Sequence, residues 1–85
     1  FPNPFNPAAT IEFSLNTASA VKLTVYDILG QEVVTLVNSD KPMGSHTVQW
    51  RANTMPSGIY YYRLEADGIS KTHKMVLMKQ FHLFK

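Results

Sequence analysis

The chain has 85 residues, 45% of them hydrophobic, with eight Lys and Arg against six Asp and Glu, a formal net charge of +2. That length fits one domain and not two, and the apolar content with so little net charge excludes a disordered chain. No apolar run approaches the roughly 20 residues of a membrane-spanning helix, and the absence of cysteine removes disulfides, zinc-thiolate sites and thiol nucleophiles.

Phe1 to Pro7 holds three of the five prolines. Proline locks φ and lacks an N–H, so this lead is neither helix nor central strand. An extended stretch anchored by Phe1 and Phe5 is expected. The first residue is Phe rather than Met, which suggests a fragment or a processed form. Period-2 runs then follow, separated by turn residues. Ile11, Phe13 and Leu15 alternate with polar neighbours, as do Val21, Leu23 and Val25. Ala18 to Ala20 allows at most one short helical turn. Gly30 punctuates the chain before Gln31 to Val37, a run rich in β-branched residues. Asn38 to Gly44 reads as a loop. His46, Val48 and Trp50 share one face of the next run, with Trp50 a natural core plug. Ala52 to Gly58 reads as a second loop. Ile59 to Ala66 is strongly β-forming, and Asp67-Gly68 is a two-residue hairpin signal that returns the chain into Ile69 to Met78.

The expected fold is therefore all-β, an immunoglobulin-like antiparallel β-sandwich of about seven strands. Tyr60, Tyr62 and Leu64 belong to one face of their strand and Tyr61 to the other. The expected place of the first set is the core, with a tyrosine hydroxyl tied to a loop. The alternative, an outward pair of tyrosines, would make a stacking platform for sugars.

Charge is unevenly spread. Residues 1–67 carry Lys22, Lys41, Arg51 and Arg63 against all six acids, a net −2. Residues 68–85 carry Lys71, Lys74, Lys79 and Lys85 with no acid, a net +4. A basic end steers a domain toward acidic partners, or simply guards an edge strand. Four dispersed lysines are too sparse for phosphate tracking, so no nucleic-acid partner is expected.

No constellation for chemistry emerges. His46, His73 and His82 have no ligand spacing, and Asp27, Asp40 and Asp67 each stand alone as turn-capping residues. No calcium-loop spacing, nucleophile elbow or phosphate-cradling glycine loop is present. The expectation is no enzyme, with no cofactor and no metal.

Four segments carry a family resemblance. Phe1-Pro2-Asn3-Pro4-Phe5-Asn6-Pro7 with Thr10-Ile11-Glu12-Phe13 resembles the opening of the type A C-terminal sorting domain of the type IX secretion system. Val25-Tyr26-Asp27-Ile28-Leu29-Gly30-Gln31-Glu32-Val33 resembles its central strand and turn. Ser57-Gly58-Ile59-Tyr60-Tyr61-Tyr62-Arg63-Leu64 and Lys74-Met75-Val76-Leu77-Met78-Lys79 resemble its two closing motifs. They fall in the family's order and cover residues 1–79, leaving 80–85 as an extension beyond the family's usual end.

The resemblance implies a sorting domain that ends secreted proteins of Bacteroidetes and related bacteria. The cargo crosses the inner membrane by a signal peptide. The domain then targets it from the periplasm through the outer-membrane translocon to the cell surface or medium. A sortase-like protease commonly removes the domain. The recognition residues implied are Pro2, Asn3, Pro4 and Phe5, then Ser57, Gly58 and Tyr60, and finally Lys74, Met75, Val76, Leu77 and Lys79. The implied partners are the translocon, the protease and an upstream cargo domain in the same chain. A sandwich edge and a phenylalanine-bearing tail leave a homodimer through the C-terminal strand open. The same residues also resemble the immunoglobulin-like domain of flagellar hook-capping proteins. An alternative is a structural or carbohydrate-binding module at the end of a large extracellular enzyme, with Tyr60 and Tyr62, or Trp50, as glycan contacts.

Overall fold

The computed structural model describes residues 8–52 and 54–78. They form six strands: β1 (Ala8–Leu15), β2 (Ser19–Tyr26), β3 (Glu32–Lys41), β4 (Gly44–Arg51), β5 (Gly58–Ala66) and β6 (Ile69–Leu77). No helix occurs among the described residues. Every pairing is antiparallel. One sheet has two strands, β1-β4, and the other has four, in the order β3-β2-β5-β6. The fold is thus all-β and sandwich-like, with six strands described where about seven are expected. The proline-rich lead lies outside the described residues.

Alternation decides which side chains enter the core. Ile11 and Leu15 of β1 meet Val21 and Leu23 of β2 and Val37 of β3. A second cluster joins Val25, Trp50, Ala52, Tyr60 and Leu77. Leu23 and Val25 are fully buried, and such burial contributes about 1.5–3 kcal/mol for each side chain.

β3 breaks the period-2 rule. Val33, Val34, Leu36 and Val37 all pack on the core, although they are nearly consecutive. The register with β2 explains it. Leu23 faces Val37 and Thr24 faces Thr35, so Leu36 is extra; Val25 faces Val34 and Tyr26 faces Glu32, so Val33 is extra. Each extra residue is a bulge that turns a further side chain inward.

The loop expected over Asn38 to Gly44 is shorter in the structure. Asn38 to Lys41 continue β3, paired with Ser19 to Lys22. Asn, Ser and Asp are poor strand formers in isolation, but pairing with β2 holds them and their side chains are exposed at the edge. The helical turn allowed at Ala18 to Ala20 does not form either, because β2 begins at Ser19.

Two turns follow their side-chain chemistry. The Asp27 carboxylate Oδ1 accepts hydrogen bonds from the N–H groups of Leu29 and Gln31, each at 2.9 Å. The Gly30 N–H donates to the Asp27 carbonyl at 3.0 Å, closing the β2–β3 connection. Asp67 and Gly68 sit at φ of 53° and 74°, as a two-residue hairpin loop with both central residues left-handed requires. Asp40, by contrast, lies within β3 rather than at a turn.

Two strands cannot cover four. The core-side row of β6 is Ile69, Lys71, His73, Met75 and Leu77, paired with Ala66, Leu64, Tyr62, Tyr60 and Gly58. Leu77 is buried and Met75 half-buried, but Ile69, Lys71 and His73 are exposed. The first six residues of β6 are therefore exposed on both sheet faces.

Candidate functional site

The β5–β6 pairing brings the two closing motifs together. Gly58 lies opposite Leu77, Ile59 opposite Val76, Tyr60 opposite Met75 and Tyr61 opposite Lys74. Pairing in a sheet puts partners on a common face, so this hairpin has an inner and an outer row.

The inner row is structural. The Tyr60 hydroxyl donates to the Pro56 carbonyl at 2.7 Å. Its ring meets Trp50 edge-on, with centroids 5.1 Å apart and planes at 71°. The Met55 N–H donates to the Ala52 carbonyl at 3.2 Å, which makes a turn in the β4–β5 loop. Ser57 is exposed and Gly58 begins β5. Gly58 has φ of 156° and no atom within 4 Å of where a Cβ would stand, so backbone shape and not space favours glycine there.

The outer row is available to a partner. Val76 is 60% exposed and Ile59 is 37% exposed. Lys74 is exposed beside them. Of the residues that the resemblance points to, Tyr60 and Leu77 are buried and Met75 is half-buried, whereas Ser57, Lys74 and Val76 reach solvent. Pro2, Asn3, Pro4, Phe5 and Lys79 lie outside the described residues, as does His82.

A neighbouring feature was not visible in the alternation. Tyr26, Tyr61 and Arg63 share the outer face of β2 and β5. The Arg63 guanidinium carbon lies 5.0 Å from the Tyr26 ring centroid, a cation–π contact. Its Nη1 also lies 3.7 Å from Glu65 Oε1. These rings and the β2–β3 turn enclose an open cleft of about 210 Å³. Ile28 lines it and is exposed, as is its neighbour Leu29. Two large apolar residues inside a turn were the available signal.

The glycan-platform reading loses its contacts. Trp50 and Tyr60 are each only 4% exposed. Tyr62 packs on the core and stacks on His73 at 5.2 Å. His46 is likewise a strand-face residue, stacked on Phe13 at 5.2 Å with its Nε2 2.8 Å from the Pro42 carbonyl. Among the described residues, no group of His, Asp and Glu is arranged to hold a metal ion, and no helix is long and apolar enough to cross a membrane.

A family model described as "Secretion system C-terminal sorting domain" matches residues 1–78. No curated protein and no solved structure matches the chain. The family match spans nearly all of the sequence, and the chain belongs to this family, the C-terminal sorting domains of type IX secretion. The family is in general non-catalytic, and its signal implies export to the cell surface or secretion.

Proposed function

We propose that the domain is a sorting signal with no bond chemistry of its own, read by the type IX outer-membrane translocon while the attached cargo waits in the periplasm. A sortase-like protease then removes it. The observation that carries this reading is the family match across residues 1–78, whose last strand is β6. Among the described residues β6 ends the four-stranded sheet, so one of its edges has no backbone partner there. A partner strand can add there by main-chain hydrogen bonds.

The recognition residues then divide by position. Lys74 and Val76 meet the partner directly. Tyr60, Met75 and Leu77 hold the hairpin in shape from within, and Ser57 and Gly58 set its entry. Pro2, Asn3, Pro4, Phe5 and Lys79 keep their assignment as recognition residues by resemblance alone. Upstream cargo in the same chain supplies the function that is exported.

The test is a fusion of residues 1–85 behind a signal peptide and a fluorescent cargo, expressed in a type IX-competent bacterium and in a translocon-deficient twin. Cargo outside the first and periplasmic in the second is the expected result. Cargo held in the periplasm of both overturns the proposal.

A further inference from the structure

We infer that the edge of β6 left unpaired among the described residues is built to accept an acidic strand of another protein, with two carboxylates three residues apart. The inference rests on the sorting reading for its biological setting, but its physical basis is separate. β6 pairs with β5 in unbroken register from Gly58–Leu77 to Ala66–Ile69. No bulge blunts it, unlike β3 at the other edge of the same sheet. A regular, nine-residue, exposed edge invites indiscriminate pairing unless charge prevents it.

That charge is unneutralised. Lys71 faces the core side and Lys74 the outer side, because they pair with Leu64 and Tyr61. All six acids of the chain lie among the described residues. Among those residues the one ion pair joins Arg63 to Glu65, so neither Lys71 nor Lys74 has a carboxylate partner. An antiparallel strand with acids three residues apart would place one opposite each lysine. Opposite charges directly across a ladder stabilise it, and like charges destabilise it.

A second copy of this chain does not meet that requirement. Pairing β6 with another β6 sets lysines among lysines and brings no acid. The other edge strands serve no better. β1 carries only Glu12, β4 carries no acid, and the acids of β3, Glu32 and Asp40, are eight residues apart. The occupant is therefore a foreign strand, and the lysines exclude self-pairing until it arrives.

The probe is a nine-residue capped peptide of threonine and valine with glutamates at its fourth and seventh positions, which face Lys74 and Lys71 in antiparallel register. Two controls carry lysines at those positions, or glutamates at the third and eighth. Backbone amide shifts of the 85-residue chain report site and affinity. The expected result is shifts centred on β6 and binding about tenfold tighter than either control, with the margin shrinking in high salt. The Lys71→Glu/Lys74→Glu variant should prefer the lysine peptide, and Lys71→Gln/Lys74→Gln should lose the preference. Both lysines are exposed, so these variants retain the core.

The inference fails if the peptides bind alike, if the shifts fall on β1 or β3, or if the chain alone dimerises with β6 amides protected. In the secretion assay, an unchanged yield from the charge-reversed variant beside an exported wild type also overturns it and leaves the sorting reading intact. A wild type that is not exported overturns the sorting reading, and the peptide series still decides this one.

Discussion

Replacing Tyr60 with phenylalanine isolates one hydrogen bond from the packing around it. The ring keeps its place against Trp50, Val25 and Leu77. Only the donation to the Pro56 carbonyl at 2.7 Å is lost. A net intramolecular hydrogen bond is worth about 0.5–1.5 kcal/mol, and an acceptor left dry costs more. Pro56 is an exposed loop residue and the bond is only part-buried, so water is expected to replace the hydroxyl at its carbonyl. The expected loss is therefore about 0.5–1 kcal/mol, at the lower end. For a domain of this size that lowers Tm by about 2–8 °C. Urea unfolding followed by Trp50 fluorescence measures it, because Trp50 is the single tryptophan and is buried against Tyr60. Tyr60→Ala, which also removes the ring, should cost about 3–5 kcal/mol. A loss above about 2 kcal/mol for Tyr60→Phe would refute the reasoning, since the hydroxyl would then be doing more than closing a solvated loop. No loss at all would refute it from the other side.

Thr24 is 1% exposed, and its Oγ1 has no hydrogen-bond partner among the described residues. Thr24→Val keeps the shape and removes the unsatisfied hydroxyl, so it should stabilise the fold by about 1 kcal/mol in urea titration; destabilisation would mean that the hydroxyl is bonded. Asp27→Ala removes both side-chain bonds that close the β2–β3 turn. It should cost about 1 kcal/mol and speed hydrogen exchange at the Leu29 and Gln31 amides, with little change at β6.

Local chemistry was legible in the sequence where one residue decides it. Asp67-Gly68 made its hairpin because both central positions need φ above zero. Asp27 capped its turn because a short carboxylate reaches N–H groups two and four residues on. Trp50 and Tyr60 were assigned inward by period 2, and the hydroxyl found a loop carbonyl. Features set by pairing were not legible. β3 extends through Asn38 to Lys41 because β2 offers it partners, which propensity within the segment does not reveal. Its two bulges obey the register between strands, not the pattern along one. The exposure of Ile69, Lys71 and His73 on the inner row of β6 follows from the number of described strands facing it, which no single segment reveals.

That last feature links the fold to recognition. A strand buried on one face owes its position to packing, and a partner must match that packing to pair with it. β6 owes little to packing over its first six residues, which are exposed on both faces. It is held by the β5 ladder, by the hairpin turn at one end, and by Met75 and Leu77 at the other. Its backbone is already in strand geometry, so a partner pays no ordering entropy for this half of the ladder. The two edges of the four-stranded sheet therefore behave differently. A bulge, as in β3, is a permanent bar to pairing, whereas a lysine on a regular strand is a bar that a carboxylate removes. Charge protection makes β6 selective where a bulge would make it inert, and selective pairing is what a signal read by another protein requires.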